Sequence, residues 1–177
     1  MSKFRTANLL GALACEIVGR IERQSKMHPN ETNSSIAALN LISFYSGCSN
    51  RALSRALGLS HTATVRLVDK LEASGLVISA TGTDRRAVAL DLTDAGRARA
   101  REAVQQRCAL VGNMIDILTP TQRAQLDDIA ETLLRSMVET ADDADHICRL
   151  CDGDACPPDH CPVHEKELAL DGALPPA

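Results

Sequence analysis

The chain has 177 residues, enough for one domain or one domain with a helical extension. A hydrophobic content of 45% supports a core, and only 2% aromatic residues makes that core aliphatic, which suits packed helices. No apolar run reaches the roughly 18 residues of a membrane span, and a net charge of −4 tells against a uniformly basic nucleic-acid binder. Residues 6–27 read as a first helix, with Leu10, Leu13, Ile17 and Ile21 in a stripe at spacings of three and four. That helix runs through Cys15, Glu16 and Arg20, where a secretory leader would end in small residues, so a cytoplasmic protein is expected. Met27 to Glu31 is a connection broken by Pro29. Asn33 or Ser34 is the expected cap of a second helix carrying Ile36, Leu39, Leu41, Ile42 and Phe44. Gly47-Cys48-Ser49-Asn50 reads as a turn, with room for two or three residues of strand.

From Arg51 to Arg101 the pattern becomes specific. A short helix places Leu53, Ala56 and Leu57 on one face, and Gly58 ends it. Ser60 has the hydroxyl of an N-cap for a second helix, about His61 to Ala73, in which Val65, Val68 and Leu71 face inward. Gly75 stops that helix. Leu76–Ser79 and Val88–Leu92 read as two strands around a polar tip, Thr81-Gly82-Thr83-Asp84-Arg85-Arg86. Two helices across a tight glycine turn, followed by a two-stranded hairpin, make a winged helix-turn-helix, whose partner is double-stranded DNA.

The local charge agrees. Residues 47–101 hold nine Lys/Arg against five Asp/Glu, a net of +4, whereas 139–177 hold two against ten, a net of −8. Phosphates respond to the local field. The second helix of the motif would lie in the major groove, which makes Ser60, His61, Thr62, Thr64, Arg66 and Lys70 the candidate contacts. Arg66 has the fork for bidentate pairing with guanine. Arg85 and Arg86 on the hairpin tip suit the narrow minor groove. Ser49, Asn50 and Arg51 are candidate phosphate contacts at the start of the preceding helix.

The stretches LSHTATVRLVDKLEASGLV and TDRRAVALDLTDAGR resemble the MarR family of bacterial transcriptional regulators. The Asp-Arg-Arg wing and the Leu-Thr-Asp-Ala-Gly start of the next helix are the closest features, and the resemblance is specific over about residues 51–101. It implies an obligate helical dimer carrying two winged domains, usually a repressor. It also implies that Arg86 is the minor-groove residue and that Asp84 holds the wing by pairing with an arginine. A small-molecule effector is a further candidate partner.

After the wing, Thr93 caps a long helix in which Val104, Cys108, Val111, Ile115 and Leu118 form a near-heptad seam. Thr119 or Thr121 caps the next, with Pro120 in its first turn. Leu126, Ile129, Leu133 and Met137 give that helix a broad apolar face, more than one small winged domain needs. A two-fold homodimer is its natural use.

From Ala141 the chain turns acidic and rich in cysteine and proline. Cys148, Cys151, Cys156 and Cys161 follow the spacing C-x2-C-x4-C-x4-C, while Cys15, Cys48 and Cys108 are scattered. Four clustered thiols in a cytosolic chain point to metal rather than disulfides. They can close a tetrahedral zinc site or hold a [4Fe–4S] cluster, with His146, His160 and His164 as spare ligands. Redox thiols without metal are the third reading. No nucleophile–base set or phosphate loop stands out, so no enzyme is expected.

The expected architecture is mainly α with a small β-hairpin wing: a winged helix-turn-helix with N- and C-terminal dimerisation helices. Residues 1–146 form the winged domain, with a DNA-binding part at 34–101 and dimerisation helices at 6–27 and 93–146. Residues 147–165 form a cysteine-rich metal-binding loop, and 166–177 a disordered tail. The expected function is a dimeric regulator responding to a ligand or to redox state through the cysteine site. The alternative is a metal- or redox-handling protein whose winged domain serves protein–protein contacts.

Overall fold

A computed structural model describes residues 2–25, 32–81 and 88–170. Helices α1 (Lys3–Ser25), α2 (Asn33–Phe44), α3 (Asn50–Leu57) and α4 (His61–Ala73) come first. Strands β1 (Val77–Thr81) and β2 (Val88–Leu92) follow, then α5 (Asp94–Ile115), α6 (Pro120–Ser136), α7 (Ala141–Cys148) and α8 (Pro162–Leu170). The strands are antiparallel, in register from Val77 opposite Leu92 to Thr81 opposite Val88. Cys48 forms one further, isolated bridge to Leu90, a single residue where two or three residues of strand were expected before α3.

Helices α2 to α7 each start from a serine or threonine whose side chain accepts a backbone N–H three residues on: Thr32, Ser49, Ser60, Thr93, Thr119 and Thr140. Such caps are worth typically about 1 kcal/mol each. For α2 the cap is Thr32, not Asn33 or Ser34. Thr32 is the residue in extended geometry, and it trades hydrogen bonds with Ser35, its N–H donating to the Ser35 hydroxyl at 2.8 Å.

The main core joins α2, α3, α4 and the hairpin. Leu39, Ile42, Leu53, Leu90 and Leu92 are buried in it, with Val68 and Leu71 from α4. A second, smaller core lies further along the chain. Val138, Ala144, Cys161 and Val163 are its buried residues, and Leu134, Ile147, Cys148 and Cys156 pack against them. The cysteine segment therefore has an apolar core of its own and is more than a loop. Residues 162–170 are helical where the end of a loop and the start of a tail were expected. Residues 171–177 lie outside the described residues. Likewise α6 ends at Ser136, and Thr140 starts the separate helix α7 with a capping box to Asp143.

Among the described residues, the long helices α1 and α6 bury none within the chain. Leu9, Leu10, Leu13 and Val18 on α1 remain exposed, as do Leu126, Ile129, Leu133 and Met137 on and just after α6. Among the described residues no helix is long and apolar enough to cross a membrane.

Candidate nucleic-acid interface and cysteine cluster

Helix α4 is seated by its inner face and offers its outer one. Thr64 is fully buried, and Val68 and Leu71 are 3% and 5% exposed. Thr64 takes the inward place expected of Val65, which is half-buried. A threonine can do so because its hydroxyl donates to the Ser60 carbonyl one turn back, at 3.1 Å, leaving its methyl for the core. Thr64, expected among the groove-facing residues, is instead turned inward and offers no exposed atom. His61, Thr62, Arg66 and Lys70 are exposed. Ser60 is exposed too, with its hydroxyl accepting from the Ala63 N–H at 3.2 Å.

Gly58 has a left-handed backbone, φ 64°, and turns the chain from α3 into α4. At the start of α3, the Ser49 hydroxyl accepts from the Ala52 N–H. Asn50 is half-buried, and its Oδ1 is enclosed without a hydrogen-bond partner. Arg51 is exposed beside them. The pairing of Thr81 with Val88 fixes the base of the wing. Asp84, Arg85 and Arg86, expected at its tip, lie outside the described residues.

The hairpin is set against α5 by a close approach. The Thr93 hydroxyl donates to the Gly75 carbonyl at 2.7 Å, and the Thr93 N–H to Leu76 O at 3.1 Å. Not every basic residue of the segment faces solvent unpaired. Arg97 reaches Asp91 at 3.4 Å, and Arg55 reaches Asp142 of α7 at 3.0 Å.

The four clustered cysteines line one cavity of about 310 Å³, which Tyr45 and His164 also border. All four are free thiols. Cys148 and Cys151 perturb one another in opposite directions. The hydrogen bond from Cys148, helped by the nearby Arg107 and Arg149 guanidiniums, lowers Cys151, while Cys148 as donor is raised. Burial pushes Cys156 up to about 11. Among the described residues, no three Cys, His, Asp or Glu groups are placed so that they could hold a metal ion as they stand. Four soft donors on one cavity nevertheless match what zinc or an iron–sulfur cluster requires. Converging on one centre takes deprotonation and rotation about the side-chain bonds. Of the spare histidines, His146 is turned to the Ala56 carbonyl at 3.0 Å, and His160 is exposed beside Asp159.

Two residues that hold this segment carry no motif. Asn40, in the middle of α2 and 5% exposed, donates through Nδ2 to the carbonyls of Arg149 at 3.2 Å and Cys151 at 3.0 Å. Arg107 of α5 donates to the Leu150 carbonyl. The legible signal was the lone amide inside the apolar run Ile36-Ala37-Ala38-Leu39-Asn40-Leu41-Ile42.

A capped, outward-facing second helix beside a two-stranded hairpin defines a winged helix-turn-helix protein. Residues 32–87 match the model of the MarR family. No curated protein sequence matches the chain. Its fold is shared with solved structures at low identity. RV1404 from Mycobacterium tuberculosis superposes with a TM-score of 0.67 at 21% identity, over 75% of this chain and 92% of that one. FabT of Streptococcus pneumoniae, solved in complex with DNA, gives 0.65 at 18%, over 75% and 94%. The apo form of MarR from E. coli gives 0.59 at 22%, over 71% and 96%. The family match covers the helix-turn-helix and the start of the wing, and the cysteine segment lies beyond it.

Proposed function

We propose that the chain is a sequence-specific DNA-binding transcription regulator that acts as a homodimer, of the repressor kind. The observation that carries this reading is the outer row of α4. His61, Thr62, Arg66 and Lys70 stand exposed on a helix whose other face is fixed in the core. Such a helix presents base-reading side chains at no cost to its own packing. FabT, similar in fold, was solved in complex with DNA. The apolar faces left open on α1 and α6 supply a two-fold interface, which spaces two reading heads along a duplex. The cysteine site, docked on the reading head, is where a metal or redox signal enters. A cavity of about 380 Å³ between α2, α5 and the cysteine segment, bordered by Asp91, Arg97 and Arg101, has room for a small polar effector.

Selection from a random duplex pool tests the reading. A two-fold symmetric site is expected, with half-sites about one helical turn apart and affinity falling steeply with salt. A pool that shows no enriched sequence, with binding insensitive to salt, overturns it.

A further inference from the structure

The cysteine segment is fastened to the DNA-reading half of its own chain from two sides. On one side, Asn40 of α2 holds the carbonyls of Arg149 and Cys151, and Arg107 of α5 holds that of Leu150. The turn between the first two cysteines thus rests on the helices beneath it. Phe44 closes over the chain just after that turn, since a Cβ at Gly153 would meet its ring at 3.0 Å. On the other side, α7 lies along α3. Arg55 reaches Asp142 at 3.0 Å, and His146 Nδ1 sits 3.0 Å from the Ala56 carbonyl. Helix α7 ends in Cys148, and α3 is the first helix of the helix-turn-helix.

We propose that Cys148, Cys151, Cys156 and Cys161 hold a single thiophilic divalent ion of the zinc kind, and that this ion fixes α7 against α3 within one chain. This deepens the regulator reading above and rests on it. The signal would reach the reading head directly, without passing through the dimer interface.

All four thiols line one cavity. A tetrahedral zinc site asks for four thiolates at about 2.3 Å from one ion, and rotation about the cysteine side-chain bonds can bring thiols on one cavity to such a centre. Charge points the same way. Four thiols lose four protons on binding one divalent ion, which leaves a dianionic centre, and Arg107 and Arg149 stand close enough to Cys151 to offset it. The small core formed by Val138, Ala144, Cys161 and Val163 brings α7 and the start of α8 together. The ion would join the end of α7 to the start of α8. Its binding free energy would then be spent on ordering the segment that α3 leans on.

The test uses the full chain, stripped with a chelator and titrated anaerobically with cobalt(II), then zinc(II). The visible spectrum and amide hydrogen exchange are the readouts. The expected spectrum is that of tetrahedral thiolate cobalt, saturating at one ion per chain and displaced by zinc. Zinc should slow exchange about tenfold in residues 50–57 as well as in 141–148. The double variant Asp142→Ala, His146→Ala keeps all four cysteines. It should still bind one ion, but exchange in 50–57 should no longer respond. Iron and inorganic sulfide in the chain purified without air, with no cobalt spectrum, would overturn the single ion. Full ion binding with α3 exchange unchanged in the parent would overturn the coupling. Neither readout uses DNA, so a chain that passes both and selects no duplex overturns the regulator reading alone.

Discussion

Gly96 lies directly against the backbone of Leu76: a Cβ built on Gly96 would sit 1.9 Å from the Leu76 carbonyl oxygen. That oxygen also accepts from the Thr93 N–H, so the first turn of α5 is pressed onto the start of the wing. The glycine of the Leu-Thr-Asp-Ala-Gly motif is explained by this contact. Gly96→Ala should destabilise the protein by at least about 2–3 kcal/mol, because backbone must move to make room. Urea unfolding measures it, and a variant as stable as the parent would show that the approach is looser than described.

Arg66 and Thr64 should separate cleanly, although two positions apart on one helix. Arg66→Ala should relax base preference at one position in each half-site, by about 1–3 kcal/mol of discrimination. Thr64→Val should leave DNA affinity unchanged. Its methyl stays in the core, and the Ser60 carbonyl keeps the Thr64 N–H as a donor at 3.0 Å. Binding titrations of both variants against the selected site check this.

The proposed homodimer should depend on the open face of α6. Ile129→Glu with Leu133→Glu should give a folded monomer, since both side chains are exposed within the chain, at 54% and 36%. Carboxylates facing each other across a two-fold axis are expelled from an apolar interface. Light scattering on the purified variant gives the mass. DNA affinity should fall along with it, as the two heads lose their linkage.

The start of α7 should loosen in acid. The Asp143 carboxylate accepts the Thr140 hydroxyl and N–H, both at 2.8 Å, and the Glu139 N–H at 3.2 Å. The Thr140 hydroxyl bond is the largest influence holding it below the ordinary carboxylate range. A group with a lowered folded value stabilises above its unfolded value and loses that contribution as pH falls through the folded one. Protection from exchange at residues 140–144 should therefore fall in the parent as pH drops below the ordinary carboxylate range. Asp143→Asn should show fast exchange already at neutral pH and little further change.

Local signals carried the winged motif. Ser60, Gly58 and Gly75 each act within a few residues of themselves, and caps and stops are legible at that range. The inward face of α4 was half legible. A wheel assigns Val65 inward because it is apolar, and only the hydrogen bond to Ser60 shows why Thr64 takes that place. The cysteine spacing was plain, but its surroundings were not. Asn40 and Arg107 meet the segment across contacts from α2 and α5, and no periodicity records such a meeting. Helix α8 was hidden by Pro162, which reads as a breaker in sequence yet serves here as the first residue of a helix.

Asn40 and its two acceptors stand 109 and 111 positions apart. On the ribosome, α2 through the wing emerge well before Cys151 does. Until then the Asn40 amide has only water to donate to. A chain cut short after α6 stays in that condition and lacks the two hydrogen bonds that tie α2 to the cysteine segment.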